Sequence, residues 1–315
     1  SSYSYEYTNT AWHVLTEFIL PGIVGRDAEG PEDILAPVRW VRGHNMAKAA
    51  VEMAGWDLAA RAEGVSLSQK LGGDRDVVPV GVSIGLKATD EELHESVSGY
   101  LDDGYARVKI KIKPGRDIEM LAGLRERFPD VAFMADANSA YTLDDVDRLK
   151  ELDALDLMMI EQPFSYDDFL DHARLQEQLS TPVCLDESIK SEGDLALAFE
   201  LGSCQIVNIK PGRVGGFGVS RRLHDTARDR DMPVWCGGML ESGVGRAYNV
   251  ALASLPGFSL PGDISASQRY WEQDIVTPEF EVEDGVMRVP SGVGLGVELD
   301  LDRIHGLTTR EASFG

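Results

Sequence analysis

The chain has 315 residues, of which 43% are hydrophobic and 26% are charged, so it is long enough to bury a core of enzyme size. Its formal net charge of −23 excludes nucleic acid and anionic membrane surfaces as partners, because both repel an acidic protein. No apolar run reaches the roughly 18 residues of a membrane-spanning helix, and no segment has the pattern of a cleavable signal peptide. We therefore expect a cytoplasmic protein, in which Cys184, Cys204 and Cys236 are buried free thiols.

Residues 1–77 have a helical pattern. In MAKAAVEMAGWDLAARAEG, Met46, Ala50 and Met53 recur at helical intervals, and Gly64 predicts the end of this helix.

After residue 77, strands alternate with amphipathic helices. The strand segments are almost continuously apolar, which is typical of a parallel sheet buried on both faces. We predict strands over residues 78–85, 106–112, 131–137, 157–162, 182–187, 205–210, 233–238 and 257–262.

Five charged residues at the ends of these strands are almost evenly spaced. Lys111, Asp136, Glu161 and Asp186 are 25 residues apart, and Lys210 follows 24 residues later. This spacing fits one strand, one helix and two short connections, the repeat unit of a (β/α)8 barrel. The carboxyl ends of barrel strands converge on the face that carries the active site.

The three acidic members of this series predict a metal site. One carboxylate after a strand is more often a helix cap or a salt-bridge partner, but three that converge would repel one another without a counterion. An all-oxygen ligand set from Asp136, Glu161 and Asp186 favours Mg²⁺, or else Mn²⁺, over zinc.

The lysines predict acid–base chemistry. Lys109, Lys111 and Lys113 alternate with apolar residues and so share one face of a strand, which on its own indicates only a polar edge strand. Lys111 is best placed near the rim, where a neighbouring cation would favour its neutral form, a general base. Lys210 is four strands away in barrel order, so we expect it to face Lys111 across the mouth.

Other polar positions are less specific. The glycines of PGRVGGFG lack the spacing of a phosphate-binding loop, and we interpret them as a tight turn in which Arg213 tunes Lys210. Ser83 and the glycines of CGGMLESG are candidates for ligand contacts, with capping of helices or turns as the equal alternative.

The motifs resemble those of the muconate-lactonising subgroup of the enolase superfamily. The resemblance lies in K-x-K of VKIKIKPG, D-x-N of ADANSAYTL, E-Q-P of IEQPF, D-E-S of CLDESI, and VNIKPGRVGG. Together with PVWCGGMLESG and LPGDISAS, these motifs look like the branch of o-succinylbenzoate synthases and N-succinylamino acid racemases.

The resemblance implies a (β/α)7β-type TIM barrel with an α+β capping domain. Residues 1–77 would form part of the cap, residues 78–265 the barrel, and residues 266–315 a segment that packs back on the cap. Relatives carry a further N-terminal segment with the sheet of the cap and a mobile loop over the site, and we expect this chain to start after it.

The resemblance also implies roles for individual residues. Asp136, Glu161 and Asp186 would bind Mg²⁺, as superfamily members combine this ion with a lysine or histidine base. Lys111 and Lys210 would be the acid–base pair, with Lys109 as a further catalytic candidate. The residues that fall where relatives contact substrate, or that are associated with racemisation, are Ser83, Asn138, Arg213, Gly238, Met239 and Leu240.

The implied reaction is a syn dehydration through an enediolate, which yields o-succinylbenzoate for menaquinone synthesis. Lys111 would remove the α-proton and protonate the departing hydroxyl group, while Lys210 would stabilise the anion. The expected partners are a small carboxylate that bears a succinyl group and further copies of the chain in a homo-oligomer.

Three alternatives stay open. In an N-succinylamino acid racemase both lysines would transfer protons, one on each face of the substrate, and Arg213 is the feature associated with this activity. A dipeptide epimerase is less favoured, because its usual D-x-D pair is replaced here by GDIS with the single Asp263. A non-catalytic carboxylate-binding barrel would not need two opposed lysines.

Overall fold

Helices make up the first part of the computed structural model, which describes residues 3–315. They are α1 (Thr8–Val14), continued by a π-helical turn (Leu15–Ile19) into α2 (Leu20–Ile23), then 3₁₀ turns (Pro31–Asp33 and Ala36–Val38), α3 (Asn45–Glu63) and α4 (Leu67–Leu71). As the sequence predicts, Gly64 ends α3, with a left-handed φ of 70° that glycine adopts without a steric penalty.

Strands and helices then alternate. The strands are β1 (Val77–Pro79), β2 (Gly81–Ile84), β3 (Arg107–Lys111), β4 (Ala132–Asp136), β5 (Ile160–Glu161), β6 (Val183–Leu185), β7 (Ile206–Ile209) and β8 (Val234–Cys236). The helices are α5 (Asp90–Asp102), α6 (Ile118–Arg127), α7 (Val146–Lys150, between 3₁₀ turns Leu143–Asp145 and Glu151–Leu155), α8 (Leu170–Gln176), α9 (Glu192–Leu201), α10 (Pro211–Val214), α11 (Phe217–Arg228) and α12 (Gly243–Ala253).

Local capping sets the start of several of these helices. Before α5, Thr89 Oγ1 accepts a hydrogen bond from the backbone N–H of Glu92 at 3.2 Å. Before α9, Ser191 Oγ accepts one from the N–H of Asp194 at 3.2 Å. Each hydroxyl satisfies a backbone donor that has no partner within its helix.

Seven parallel strands form one curved sheet in the order β2-β3-β4-β5-β6-β7-β8. Their register aligns the ends of neighbouring strands, since Lys111 pairs with Asp136 and Asp136 pairs with Glu161. The family resemblance implied this TIM-barrel type of α/β fold, and the sheet confirms it. The first three of the evenly spaced charges therefore lie side by side at the carboxyl edge, and Asp186 and Lys210 follow directly after β6 and β7.

The C-terminal segment packs against the N-terminal helices. It contains a 3₁₀ turn (Ser267–Arg269), β9 (Val276–Thr277), β10 (Val286–Arg288), β11 (Glu298–Leu299) and α13 (Leu301–Leu307). The backbone N–H of Leu67 donates to the carbonyl of Gly294 at 2.7 Å, and the N–H of Leu295 donates to Asp57 Oδ1 at 2.7 Å. These bonds tie the end of the chain to α3 and α4.

The prediction of one strand over residues 78–85 is wrong, because this segment divides at Val80. β1 pairs antiparallel with β10, whereas β2 joins the parallel sheet. The partner strand of β1, β10, lies some two hundred residues away in the sequence, and no local sequence pattern predicts that pairing.

The predicted eighth strand, 257–262, is also not a regular strand. It makes single bridges instead, from Phe258 to β8 and from Gly262 to Val80. The N–H of Gly262 donates to the carbonyl of Pro79 at 3.0 Å, and the N–H of Asp263 donates to that of Cys236 at 2.9 Å. The segment thus contacts both edges of the seven-stranded sheet, but Pro261 lacks the N–H that a continuous ladder requires.

The three cysteines are buried and form no disulfide, as the sequence predicts. Burial raises the pKa of the Cys204 thiol to about 12, so this residue stays protonated and unreactive. No helix within residues 3–315 combines the length and the hydrophobicity needed to cross a lipid bilayer.

Replacement of Gly81 by alanine is expected to destabilise the barrel. A Cβ at this position of β2 would lie 2.7 Å from the carbonyl oxygen of Arg107, a backbone atom that cannot move aside. Overpacking of this kind costs about 1–3 kcal/mol, which urea unfolding would measure. Gly99→Ala in α5 is the matched control, since no atom lies within 4 Å of its Cβ position and alanine favours helix by about 0.5–1 kcal/mol. Equal stability of the two variants would contradict the tight packing at Gly81.

Candidate active site

A cavity of about 640 Å³ lies at the carboxyl ends of the strands. Most of the residues predicted to act on a substrate line it, namely Ser83, Lys109, Lys111, Lys210, Gly238, Met239 and Leu240. Tyr3, Tyr270 and Asp263 complete part of its wall. Of the predicted substrate contacts, Asn138 and Arg213 lie outside this wall, and Arg213 lines a neighbouring cavity of about 290 Å³.

Two lysines reach this cavity from opposite sides. Lys111 is the last residue of β3, and Lys210 follows directly after β7. Three strands separate β3 from β7 in the sheet, so the two positions face each other across the barrel mouth. A ligand in the cavity would therefore have an amine on each side.

Three carboxylates are buried at the same edge of the sheet. Asp136, Glu161 and Asp186 have at most 1% of their surface exposed. Burial, followed by the negative charge of Asp136, raises the pKa of Glu161 to about 8, and Asp186 adds to this effect. The three acids thus act on one another electrostatically.

Lys109 lies beneath the cavity and balances this charge. Its Nζ lies 2.6 Å from Asp263, 2.9 Å from Glu161 and 3.1 Å from Asp136, and 5.1 Å from the ring centroid of Trp235. Burial alone would lower the pKa of Lys109, but the surrounding carboxylates outweigh burial and raise it. Lys109 is therefore a permanent cation, which suits charge stabilisation rather than proton removal.

Lys111 is more accessible, with 29% of its side chain exposed. Its Nζ lies 2.6 Å from Asp136 Oδ2 and donates a second bond to Asn138 Oδ1. The amide of Asn138 in turn donates to Glu187 Oε1 at 2.9 Å. Asn138 thus orients the amine of Lys111, whereas Lys113 lies in the following turn and is exposed.

Lys210 is held on the other side of the cavity. Its Nζ lies 2.8 Å from Asp186 Oδ2 and 2.8 Å from the Tyr3 hydroxyl. Arg213 pairs with the second oxygen of Asp186 and also donates to the Tyr3 hydroxyl. Burial tends to lower the pKa of Lys210, but Asp186 and, after it, Tyr3 act in the opposite direction, and the pKa is raised overall. Arg213 and Lys210 share the carboxylate of Asp186, which agrees with the expectation that Arg213 influences Lys210 electrostatically.

The donor set fits a hard divalent cation. Asp136, Glu161 and Asp186 offer only oxygen ligands, and their mutual repulsion decreases when a cation joins them. Within residues 3–315, no three His, Cys, Asp or Glu side chains are grouped around a common metal position. The carboxylates are instead turned towards the ammonium groups and Arg213, which are their nearest counter-charges.

Asn208 and Tyr3 contribute to this site but were missed in the sequence, and Asp263 was noted there without a role in the site. Asn208 Nδ2 donates to Glu161 Oε1 at 2.8 Å, and its place two residues before Lys210 on one strand face could have revealed it. Asp263 pairs with both Lys109 and Arg107 at 2.6 Å. No local sequence pattern marks Tyr3 as a site residue, because the residues that it contacts are close to it only after folding.

Two family models match the chain. The model "Enolase C-terminal domain-like" matches residues 92–303, and the model "Mandelate racemase / muconate lactonizing enzyme, N-terminal domain" matches residues 3–72.

Proteins similar to this chain include two kinds of named enzyme. The o-succinylbenzoate synthase of Geobacillus stearothermophilus is 52% identical over 306 residues, which are 97% of this chain and 82% of that protein. The N-succinylamino acid racemase of Thermus thermophilus is 50% identical over 306 residues, which are 97% of this chain and 83% of that protein. A crystal structure of an enolase-superfamily member from Listeria innocua has a TM-score of 0.92 and 47% identity, over 96% of this chain and 82% of the other. The chain belongs to the enolase superfamily.

Proposed function

We propose that the protein is a Mg²⁺-dependent o-succinylbenzoate synthase, a lyase that removes water from a small carboxylate substrate. The observation that carries the proposal is that Lys111 and Lys210 line one cavity from opposite sides, beside three buried carboxylates. Similarity to synthases over nearly the whole chain supports the same activity. The place in menaquinone synthesis, the homo-oligomer and the cytoplasmic location stay predictions.

Lys111 is the proposed base. Its neutral amine would take the α-proton of the substrate, and the resulting ammonium group would give a proton to the hydroxyl group that leaves from the same face. The C–H and C–O bonds break, a C=C bond forms, and water departs with the proton. Partial exposure of Lys111 at the cavity and its orientation by Asn138 support this role.

Lys210 and Lys109 are the proposed stabilising cations. Negative charge develops on the substrate carboxylate when the α-proton leaves, and fixed cations in a site shielded from water lower the energy of that charge. Lys210 is held by Asp186 on the face opposite Lys111, and Lys109 lies beneath the cavity.

Asp136, Glu161 and Asp186 would hold the metal ion. When bound, Mg²⁺ supplies positive charge that polarises the substrate carboxylate and makes the α-proton more acidic. The buried, all-oxygen donor set supports this assignment.

Racemisation of N-succinyl amino acids is the second candidate. It requires a proton acceptor on each face of the α-carbon, and the opposed positions of Lys111 and Lys210 favour it specifically. A similar protein of 50% identity bears this name. The same site could perform both reactions, because each begins with removal of a proton α to a carboxylate.

Dipeptide epimerisation is disfavoured by the surroundings of Asp263. The carboxylate of Asp263 pairs with Arg107 and Lys109 at 2.6 Å each, so its charge is already balanced by protein cations. It therefore has little capacity to bind the ammonium group of a dipeptide.

Lys111→Ala is expected to lower kcat of the dehydration by about 10²–10⁴-fold, because the base that takes the α-proton is lost. Steady-state assays of o-succinylbenzoate formation would measure the change. Lys113→Ala is the control, since this neighbouring lysine is exposed outside the cavity and its loss should leave kcat unchanged. An unaltered rate in Lys111→Ala would refute the assignment.

Lys210→Ala is expected to abolish racemisation but to preserve α-proton exchange of one enantiomer, because the base on the other face stays in place. NMR spectra of each N-succinyl amino acid enantiomer in deuterated water would follow the exchange. Lys111→Ala should show the opposite preference. Racemisation at the wild-type rate by either variant would exclude the two-base scheme.

Mg²⁺ is expected to stabilise the folded protein. At a free concentration of one hundred times Kd, binding adds about 2.7 kcal/mol to the free energy of unfolding and raises Tm. Asp186→Asn should lose this Mg²⁺-dependent shift in a thermal unfolding experiment. Asp153→Asn should keep it, because Asp153 binds the backbone of Ser180 and Thr181 before β6, at the opposite end of the strands. The same shift in both variants would locate the ion elsewhere.

A further inference from the structure

Helix α3 holds the turn that carries Lys210. This turn runs from Lys210 through α10, Gly215 and Gly216 to the start of α11. Asn45 and Glu52 of α3 both bond its backbone. They are two helical turns apart, so their side chains project from the same face of α3.

Glu52 makes the stronger of these contacts. Its carboxylate, on a residue that is only 4% exposed, accepts hydrogen bonds from the N–H groups of Phe217 at 2.7 Å and Gly218 at 2.9 Å. Trp56 Nε1 donates a third bond at 2.8 Å. The first N–H groups of a helix lack partners within it, so Glu52 acts as the cap of α11 although it belongs to another part of the chain.

The turn is shaped to admit this carboxylate. Gly216 has a φ of 121°, and a Cβ on it would overlap Glu52 Oε2. Glycine at position 216 is therefore required both for the backbone conformation and for the close approach of Glu52.

Asn45 contacts the same turn closer to Lys210. Its Nδ2 donates to the carbonyl of Arg213 at 2.9 Å, and the N–H of Arg213 donates to the carbonyl of Lys210 at 2.9 Å. A continuous series of hydrogen bonds thus runs from α3 to Lys210. Lys111 has a different support, because it is the last residue of β3 and pairs with Asp136 of β4.

We propose that Glu52, with Asn45 as the second contact, is a positioning residue that sets Lys210 relative to Lys111. The inference rests on the proposed function, since it concerns the two lysines of that site. Proton transfer by Lys210 itself depends directly on the contact of α3 with the turn, whereas Lys111 has its own support and is affected only through the charge of Lys210. The helical part of the chain thereby controls one face of the barrel site.

Glu52→Gln tests this proposal. Glutamine has the same size but only one acceptor oxygen, so its NH₂ group would face one of the two N–H donors of α11. We expect α-proton exchange on the Lys210 face to fall by about 10–100-fold, as misplacement of a reacting group by about 1 Å does, with a much smaller loss on the Lys111 face, where Lys210 contributes only its charge. The measurement is NMR exchange of both N-succinyl amino acid enantiomers in deuterated water, with the faces assigned by Lys210→Ala.

Asn45→Ala is a second variant, in which exchange on the Lys210 face should also fall. It decides the question if Glu52→Gln does not fold. Amide hydrogen exchange followed by mass spectrometry should show faster exchange of residues 212–218 in both variants. Asp153→Asn is the matched control, because Asp153 also accepts two backbone N–H bonds, from Ser180 at 3.0 Å and Thr181 at 2.8 Å, away from the lysines. It should leave the ratio between the faces as in the wild type.

Failure of the positioning role and failure of the proposed function give different results. Unchanged exchange, or an equal loss on both faces, in folded Glu52→Gln would overturn the positioning role and leave the proposed function intact. A wild-type enzyme that exchanges neither enantiomer and forms no o-succinylbenzoate would overturn the proposed function, and the positioning role with it.

Discussion

Burial of three like charges is the constraint on which the site depends. Asp136, Glu161 and Asp186 are almost completely removed from water, and isolated buried carboxylates are very unfavourable. Cations must therefore approach them, and the barrel supplies these from β3 and from the turn after β7. The pairing of Lys109, Lys111 and Lys210 with these carboxylates follows from this requirement for charge balance.

The same requirement gives the three lysines different degrees of burial and different numbers of carboxylate partners. Lys109 is surrounded by acids beneath the cavity and cannot leave them, whereas Lys111 keeps part of its side chain exposed to a ligand. Lys210 is intermediate, since it is buried against Asp186 but still lines the cavity. Chemically identical side chains thus acquire separate proposed roles through burial and the number of their carboxylate partners.

The site is completed from outside the barrel. Tyr3 joins Lys210 and Arg213, and Glu52 of α3 caps the helix that follows them. A barrel edge can host many chemistries, and the residues that adapt it to one reaction come from the segments packed around it. In this chain the Lys210 side of the cavity depends on those segments more than the Lys111 side does.

Local sequence patterns were sufficient to predict the repeating strand–helix units, the carboxyl-edge position of Lys111, Asp136 and Glu161, and the burial of the cysteines. This is possible because strand periodicity and repeat length depend on residues that are close together in the sequence. The division of residues 78–85 between two sheets, and the single bridges by which residues 257–262 close the barrel, depend instead on packing in the folded protein. The same holds for the pairing of Asp263 with Lys109 and the contact of Tyr3 with Lys210. Such contacts join residues that are far apart in the chain, where packing and charge balance, rather than local periodicity, select the partner.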